Sequence, residues 1–365
     1  MNSIGITSII AGLALFIILT LAAYTVVLER ILSAWIQQRT GPNRVGSPAS
    51  AKMMIAAKNS IFLRIINIAW LQPLADVIKL LLKEDIVPAG ANKRVHFLAP
   101  VIAVTIALIT MAVIPFARGI YIADVNIGIL YTLAATSIGV YGITLAGWSS
   151  NSKYSLLGGL RSSAQMISYE LAMGLVVVSI ILLTNFRMPD GGSCLSMVNI
   201  VETQVQGGVW NIFINPIGFL IFMTCALAEA NRSPFDLVEA EQELVGGFHT
   251  EYSSMKFANF FVAEYLHVIM GSMVIVTLFF GGYGGIGENA LGVTEWGALG
   301  QTAWGLGWFA VKTFFFMCVY VWIRWTIPRF KYDQLMNIGW KSFLPLALVN
   351  LVVIAGVLAA IYAGK

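Results

Sequence analysis

The sequence predicts an all-α integral membrane protein: eight transmembrane helices, with a long cytoplasmic first connection that contains short interfacial helices. Three observations predict it. Of 365 residues, 58% are hydrophobic and 11% charged, where soluble domains carry about 25% charged residues. Apolar runs of about the 20 residues that a bilayer crossing needs recur along the chain. No alternating apolar–polar pattern marks a strand. Residues 1–365 read as a single polytopic membrane domain.

The expected spans are 4–28, 96–117, 127–147, 165–185, 212–230, 255–282, 303–325 and 343–363. The first has no basic residue before it and is too long for a cleaved signal core, so it reads as a retained span. No internal repeat stands out, which argues against an inverted-repeat transporter. Of the 22 basic residues, 18 fall in or beside the odd-to-even connections. Only Arg118, Arg187 and Lys365 lie on the other side, with Lys312 inside span seven. This imbalance places those connections in the cytoplasm and both termini on the non-cytoplasmic side.

Glu29-Arg30 ends the first span, where charges snorkelling at a helix end are the ordinary reading. The connection 29–95 that follows holds ten basic residues. Gly41-Pro42-Asn43-Arg44-Val45-Gly46 must turn, because proline and paired glycines break helix and strand alike. Residues 52–70 carry Lys52, Lys58, Asn59, Arg64 and Asn67 and are too polar to span, so they belong at the interface or against a partner. A short helix is expected from Pro73, with Asp76 and Lys79 three apart and Lys83 one turn later. The stretch 148–164, with Asn151, Lys153, Arg161 and six serines, reads as a polar cytoplasmic loop.

Charges inside spans cost free energy and need a protein interior or a hydrated cavity. Glu170, beside Tyr169, is expected about a turn into span four. Glu264 lies about ten residues into span six, so about 15 Å along the helix. His267, three positions on, reads as a core histidine. Lys312 has apolar neighbours in span seven. A buried ion pair with a purely structural role is the bland alternative for these charges. Trp322, Trp325 and Trp340, at span ends, fit an interfacial belt.

The most acidic stretch is Glu229 to Glu251. Six of the chain's 18 acids, Glu229, Asp236, Glu239, Glu241, Glu243 and Glu251, face only Arg232 there, a formal charge of −5 in a chain of +4. If helical, Glu239 and Glu243 share a face and Glu241 points away. Like charges packed together raise one another's proton affinity, so such a row can pass protons or respond to a nearby charge. A solvated loop is the alternative. Pro234, the Gly246-Gly247 break and the flanking spans argue that it folds against the membrane face.

The three cysteines are scattered and form no Cys-x-x-Cys, and the three histidines do not pair across spans. Iron–sulfur, zinc and bis-histidine haem sites are therefore unsupported. No glycine-rich nucleotide fingerprint follows a strand, and Gly281–Gly287 reads as a turn beyond a helix end. No metal and no cofactor is expected in this chain.

At several of these residues the sequence resembles the H-subunit family of respiratory complex I, which includes subunit 1 of mitochondrial NADH dehydrogenase. The matching segments begin with Glu29-Arg30, Gly41-Pro42-Asn43, and Gln72-Pro73-Leu74-Ala75-Asp76 with Lys79 and Lys83-Glu84. They continue with Gly147-Trp148, Asn151-Ser152, Ser168-Tyr169-Glu170, Ala228-Glu229, Asn231-Arg232 and Pro234-Phe235-Asp236-Leu237. Last come Glu239 to Glu243, Ala263-Glu264-Tyr265, Lys312-Thr313, Trp322-Ile323-Arg324 and Pro328 to Met336. They run in order over nearly the whole chain.

The resemblance implies an eight-span subunit of the bacterial inner (cell) membrane, or an equivalent energy-transducing membrane, that joins a hydrophilic arm to a proton-pumping membrane arm. It implies a proton-translocating NADH-quinone oxidoreductase with quinone as substrate, and other complex I subunits and the lipid bilayer as partners, with no nucleic acid. By matching position, Arg30, Asp76, Lys79, Phe235 and Arg324 would line the quinone cavity. Glu170, Glu229, Glu239, Glu241, Glu243 and Glu264 would carry the proton link. The quinone head would be reduced on a neighbouring hydrophilic subunit. Ile31 departs from a commonly basic position, and the stretch 47–71 is extra relative to compact versions. The connection 186–211, which carries Cys194, also looks long. The homologous subunit of a membrane-bound hydrogenase or ferredoxin-linked complex shares these motifs, and a stand-alone cation/proton transporter is the remaining alternative.

Overall fold

A computed structural model describes residues 3–42, 71–188, 192–237, 241–285 and 297–363. Among these residues there is no β-strand, only one isolated bridge between Ala117 and Ile120. Seven helices are long and apolar enough to cross a membrane, and one further apolar helix is shorter.

The first crossing helix is α1 (Ser3–Ile36). It runs past the expected end at Leu28, so Glu29-Arg30 lies within the helix, not at its mouth. Glu29 is buried, which overturns snorkelling for that residue; Arg30 stays partly exposed. The reason is tertiary: cationic partners from two other segments enclose Glu29. The turn expected from Gly41 begins within the described residues, but Asn43–Gly46 and the interfacial stretch 52–70 lie outside them.

Helix α2 (Gln72–Leu82) carries Pro73 in its first turn, where proline's missing N–H costs nothing. It has no buried residue, and Leu74, Val77, Ile78, Leu81 and Leu82 are all exposed. The chain after it is tied to the start of α10 (Ser254–Phe279), where Ser253 Oγ accepts from Ile86 N at 2.8 Å. Lys256 meets Asp85 beside this join at 2.8 Å.

Helices α3 (Lys93–Thr110) and α4 (Gly128–Ser149) pack closely. A Cβ on Gly142 would stand 3.1 Å from Ala103 Cβ, so only small residues allow this approach. Helix α5 (Lys153–Arg187) is continuous over 35 residues. The expected polar loop 148–164 is therefore mostly helix, and Glu170 sits near the middle of α5. The serines are satisfied without a loop: Ser149 and Ser150 bond back to Ala146 O, and Ser155 Oγ donates to Gly247 O at 3.2 Å. The periodicity of a buried, polar helix face is what composition alone misread.

Beyond α5 come α6 (Met197–Gly207), the single turn α7 (Asn211–Ile214) and α8 (Pro216–Glu229). The expected span 212–230 is thus broken at Asn215. Pro216 cannot donate to the preceding turn, and Asn215 caps the new helix by accepting from Gly218 N at 2.8 Å. Asn215 Nδ2 also donates to Ser179 Oγ at 2.8 Å, fixing the break against α5. The 14 residues of α8 reach about 21 Å, less than the roughly 30 Å hydrocarbon core.

Then follow the turn α9 (Glu241–Leu244), α10, α11 (Ala298–Thr326) and α12 (Tyr332–Asn337). A π-helical turn (Ile338–Phe343) joins α12 to α13 (Leu344–Ala363) without a break. Helix α10 is the axis of the molecule. From Leu266 to Phe279 almost every residue is buried, against α1, α3, α8 and α11. That enclosure decides which polar groups on α10 and its neighbours meet.

Candidate functional site: a buried arginine network and a second carboxylate cluster

One cluster forms around Glu29. Its Oε1 accepts from Arg324 Nη1 of α11, and its Oε2 accepts from the Tyr265 hydroxyl of α10 at 2.9 Å. Arg232, just past α8, brings Nη1 to 3.5 Å from Glu29 Oε2 and Nη2 to 3.4 Å from Glu264 Oε2. At these separations they are ion pairs without aligned hydrogen bonds. The guanidinium also lies 4.3 Å over the Tyr265 ring. Glu29, Arg232 and Glu264 are each at most 8% exposed. Burial works against the charge of Arg232. Glu264 foremost, with Tyr265 and Glu29, more than offsets it and raises the proton affinity of Arg232 above the ordinary guanidinium value. Four separate segments thus converge on one charge network.

Next to Glu29 on α1, Arg30 Nη2 meets Asp76 Oδ2 of α2 at 3.0 Å, and Gln72 Nε2 donates to Asp76 Oδ1 at 3.2 Å. Lys79 is exposed on the next turn of α2. Of the residues expected to line one cavity, Arg30, Asp76 and Lys79 come together on the α1–α2 edge, and Arg324 joins them through Glu29. Phe235 does not join that edge. It is buried between the rings of Tyr169 and Phe330, with centroids 5.5 and 5.7 Å away.

The second cluster lies between α4, α5 and α8. Ser137 Oγ donates to Glu170 Oε1 at 2.5 Å. Glu170 and Glu229 both line a cavity of about 10 Å³, with Thr136, Tyr169 and Cys225 in its wall. A second cavity, of about 20 Å³, is also lined by Glu229 and reaches Met270 and Gly271 of α10. Gln165 Nε2 holds the end of α8 by donating to Ala228 O at 3.0 Å.

The acidic loop is clamped at both ends. Asp236 Oδ2 accepts from Arg329 Nη2 at 2.9 Å, and Phe330 N donates to Pro234 O at 3.3 Å. Glu243 Oε2 accepts from Arg161 Nη1 at 2.6 Å, and that guanidinium lies 5.6 Å over Tyr332. The loop therefore folds against α5 and α12. Glu239 lies outside the described residues. The backbone of Glu241 forms the start of α9, but its side chain lies outside them.

Three participants were missed in the sequence. Glu29 looked like a helix end, Arg232 looked like a lone counter-charge, and Tyr265 looked like a neighbour of Glu264. The available signal was that Arg232 is the only cation within 23 residues of acid-rich chain flanked by apolar runs. Lys312 is also placed. Its ammonium donates to Phe280 O, Gly282 O and Gly284 O at 2.7, 3.1 and 2.6 Å, at the C-terminal end of α10. A cation there also faces the negative end of the helix dipole.

Comparison with known proteins shows the family of the chain. The family model described as NADH dehydrogenase matches residues 9–355. The chain is 55% identical over 356 residues to NADH-quinone oxidoreductase subunit 8 of Rhodothermus marinus, covering 96% of each chain. It is 51% identical to the NADH-quinone oxidoreductase H subunit of Salinibacter ruber, covering 96% of this chain and 95% of that one. It is 45% identical to the second NADH-quinone oxidoreductase H subunit of Geobacter sulfurreducens, over 98% of this chain and 99% of that one. With matches of this identity over nearly its whole length, the chain belongs to the NADH dehydrogenase family, among the H subunits of NADH-quinone oxidoreductase.

Proposed function

We propose that this chain, as the membrane subunit of a proton-translocating NADH-quinone oxidoreductase, binds quinone along its α1–α2 edge and passes the consequence to a buried carboxylate series. The observation that carries the reading is Arg232, shared between Glu29 and Glu264. Glu29 also holds Arg324, so a change of charge at the Arg30–Asp76–Arg324 edge alters the pull that Arg232 exerts on Glu264. Between unit charges about 4 Å apart that interaction is about 4 kcal/mol at an effective dielectric constant of about 20. This is enough to move a proton equilibrium. Glu170 and Glu229 continue the series toward the bundle interior, and Glu239, Glu241 and Glu243 are its further members in the sequence. Coupled carboxylates titrate as a group, so the series responds together.

In this reading the chain carries no redox centre, and electrons reach quinone from a partner subunit. Eight crossings, with α8 counted as one, put both termini on the non-cytoplasmic side and the Glu29 network at the cytoplasmic face. Glu264→Gln tests the reading in the assembled complex, because it keeps size and hydrogen bonding but removes the titratable proton. Normal assembly with most quinone-linked turnover and proton translocation lost is the expected result. Full assembly with unchanged pumping would remove Glu264 from the path.

A further inference from the structure

Tyr320 of α11 is only 3% exposed, and among the described residues its hydroxyl finds no hydrogen-bond partner. A buried phenol without a partner has lost the hydrogen bonds that it makes to water in the unfolded chain, so it calls for an explanation. Its oxygen stands beside Gly271 of α10: a Cβ there would lie 2.8 Å from Tyr320 Oη and 3.7 Å from Ala226 Cβ. Gly271 is itself part of the wall of the cavity that also contains Glu229, Thr132 and Thr136. Glu229 Oε1 is likewise shut off from solvent and without a protein partner among the described residues. Of the two orphaned polar atoms, Glu229 Oε1 belongs to a residue that lines the cavity, and Tyr320 Oη stands directly behind Gly271 of its wall.

The cavity measures about 20 Å³, and a single water needs about 10–15 Å³ of such space together with two to four polar partners. Among the lining residues Glu229 Oε1 can accept, and Tyr320 Oη, against Gly271 of the wall, is an unused donor next to them. The hydroxyls of Thr132 and Thr136 already donate to Gly128 O and Leu133 O, at 3.1 and 2.9 Å, and can still accept. The rest of the wall, including Phe222, Met173 and Val274, is apolar, so nothing else competes for the water.

We propose that Tyr320 is a positioning residue for Glu229: its O–H holds one buried water against Glu229 Oε1, and Gly271 keeps the space for that water open. The inference rests on the reading of Glu229 as a member of the proton link. It adds that Glu229 is served from the α10–α11 side by an ordered water, as well as from the Glu170 side. Removing the phenol leaves the water with fewer partners and alters the hydrogen bonding of the Glu229 carboxyl. Adding a methyl at Gly271 fills the gap between α8, α10 and Tyr320.

The test uses the intact complex with Tyr320→Phe, Gly271→Ala and Glu229→Gln, read by redox-induced infrared difference spectra alongside proton translocation per electron. The carboxyl band that disappears in Glu229→Gln identifies Glu229. The proposal expects that band to shift in Tyr320→Phe while the amount of assembled complex stays normal, and quinone-linked turnover to fall by about threefold or more. Gly271→Ala should shift the same band. If Glu229→Gln abolishes pumping but Tyr320→Phe leaves both band and turnover unchanged, the positioning role is wrong and the proton-link reading survives. If Glu229→Gln itself pumps normally with full assembly, the proton-link reading of Glu229 fails instead. If Tyr320→Phe lowers assembly alone, with the band of the assembled fraction unmoved, the phenol is only a packing group and the proposal is overturned.

Discussion

Arg232 brings its Nη2 to 3.4 Å from Glu264 Oε2, across the gap between the end of α8 and the buried face of α10. The same guanidinium reaches Glu29, so one cation is shared by two carboxylates from two different helices. Taking away one member of such a buried set leaves an unpaired charge, at about 3–5 kcal/mol. Arg232→Met should therefore lower the thermal stability of the subunit and reduce the amount of assembled complex, seen on native gels. Arg232→Lys keeps the charge but not the planar fork, and cannot serve two carboxylates equally. It should assemble and show reduced quinone-linked turnover. Normal turnover in Arg232→Lys would mean that the charge suffices and the bridge does not matter.

Arg30 and Asp76 form a different kind of pair. Their side chains are 43% and 34% exposed, so the pair contributes no more than about 1 kcal/mol to stability. Asp76→Asn should assemble normally. Its effect should appear as slower quinone reduction, while electron flow from NADH to a water-soluble artificial acceptor is retained. Equal loss of both activities in a normally assembled complex would contradict the assignment of this edge to quinone.

Lys312 makes a separate prediction, because its partners are backbone carbonyls. Lys312→Met strips the Phe280, Gly282 and Gly284 carbonyls of their donor, at about 1–3 kcal/mol for each one left buried and unsatisfied. The expected outcome is a melting temperature lowered by several degrees, with turnover per assembled complex unchanged. A variant with unaltered melting but lost pumping would move Lys312 from holding α10 to handling protons.

The count of crossings is testable through α8. With its 14 residues the helix is short for a bilayer of about 30 Å, but Asn215 and α7 extend its reach, and most of its residues are buried by neighbouring helices. Reporter fusions after Asn126 and after Ala363 should fall on the same side if α8 crosses, and on opposite sides if it does not. Eight crossings predict the non-cytoplasmic side for both.

Apolar run length was enough to mark the chain as helical and membrane-embedded and to locate most of its crossings. The cost of placing charge in lipid was enough to pick out the anomalous acids. Both are local properties, legible residue by residue. Local chemistry also showed that Pro73 opens a helix and that the acid loop folds back, since Pro234 and Gly246-Gly247 forbid a continued helix. The remaining features came from tertiary contacts. Glu29 is buried because Arg232, more than 200 positions later, and Arg324, nearly 300 later, both reach it. Residues 153–164 are helical because their serines and glycines pack on the turn at Gly247–His249. Lys312 is satisfied by carbonyls that become available only where α10 ends. Tyr320 comes up against Gly271, a residue of the wall of the Glu229 cavity, only because the missing side chain lets α11 approach α10. Each of these depends on which helix lies beside which, and helical periodicity fixes the face of a residue without naming the neighbour that face will meet.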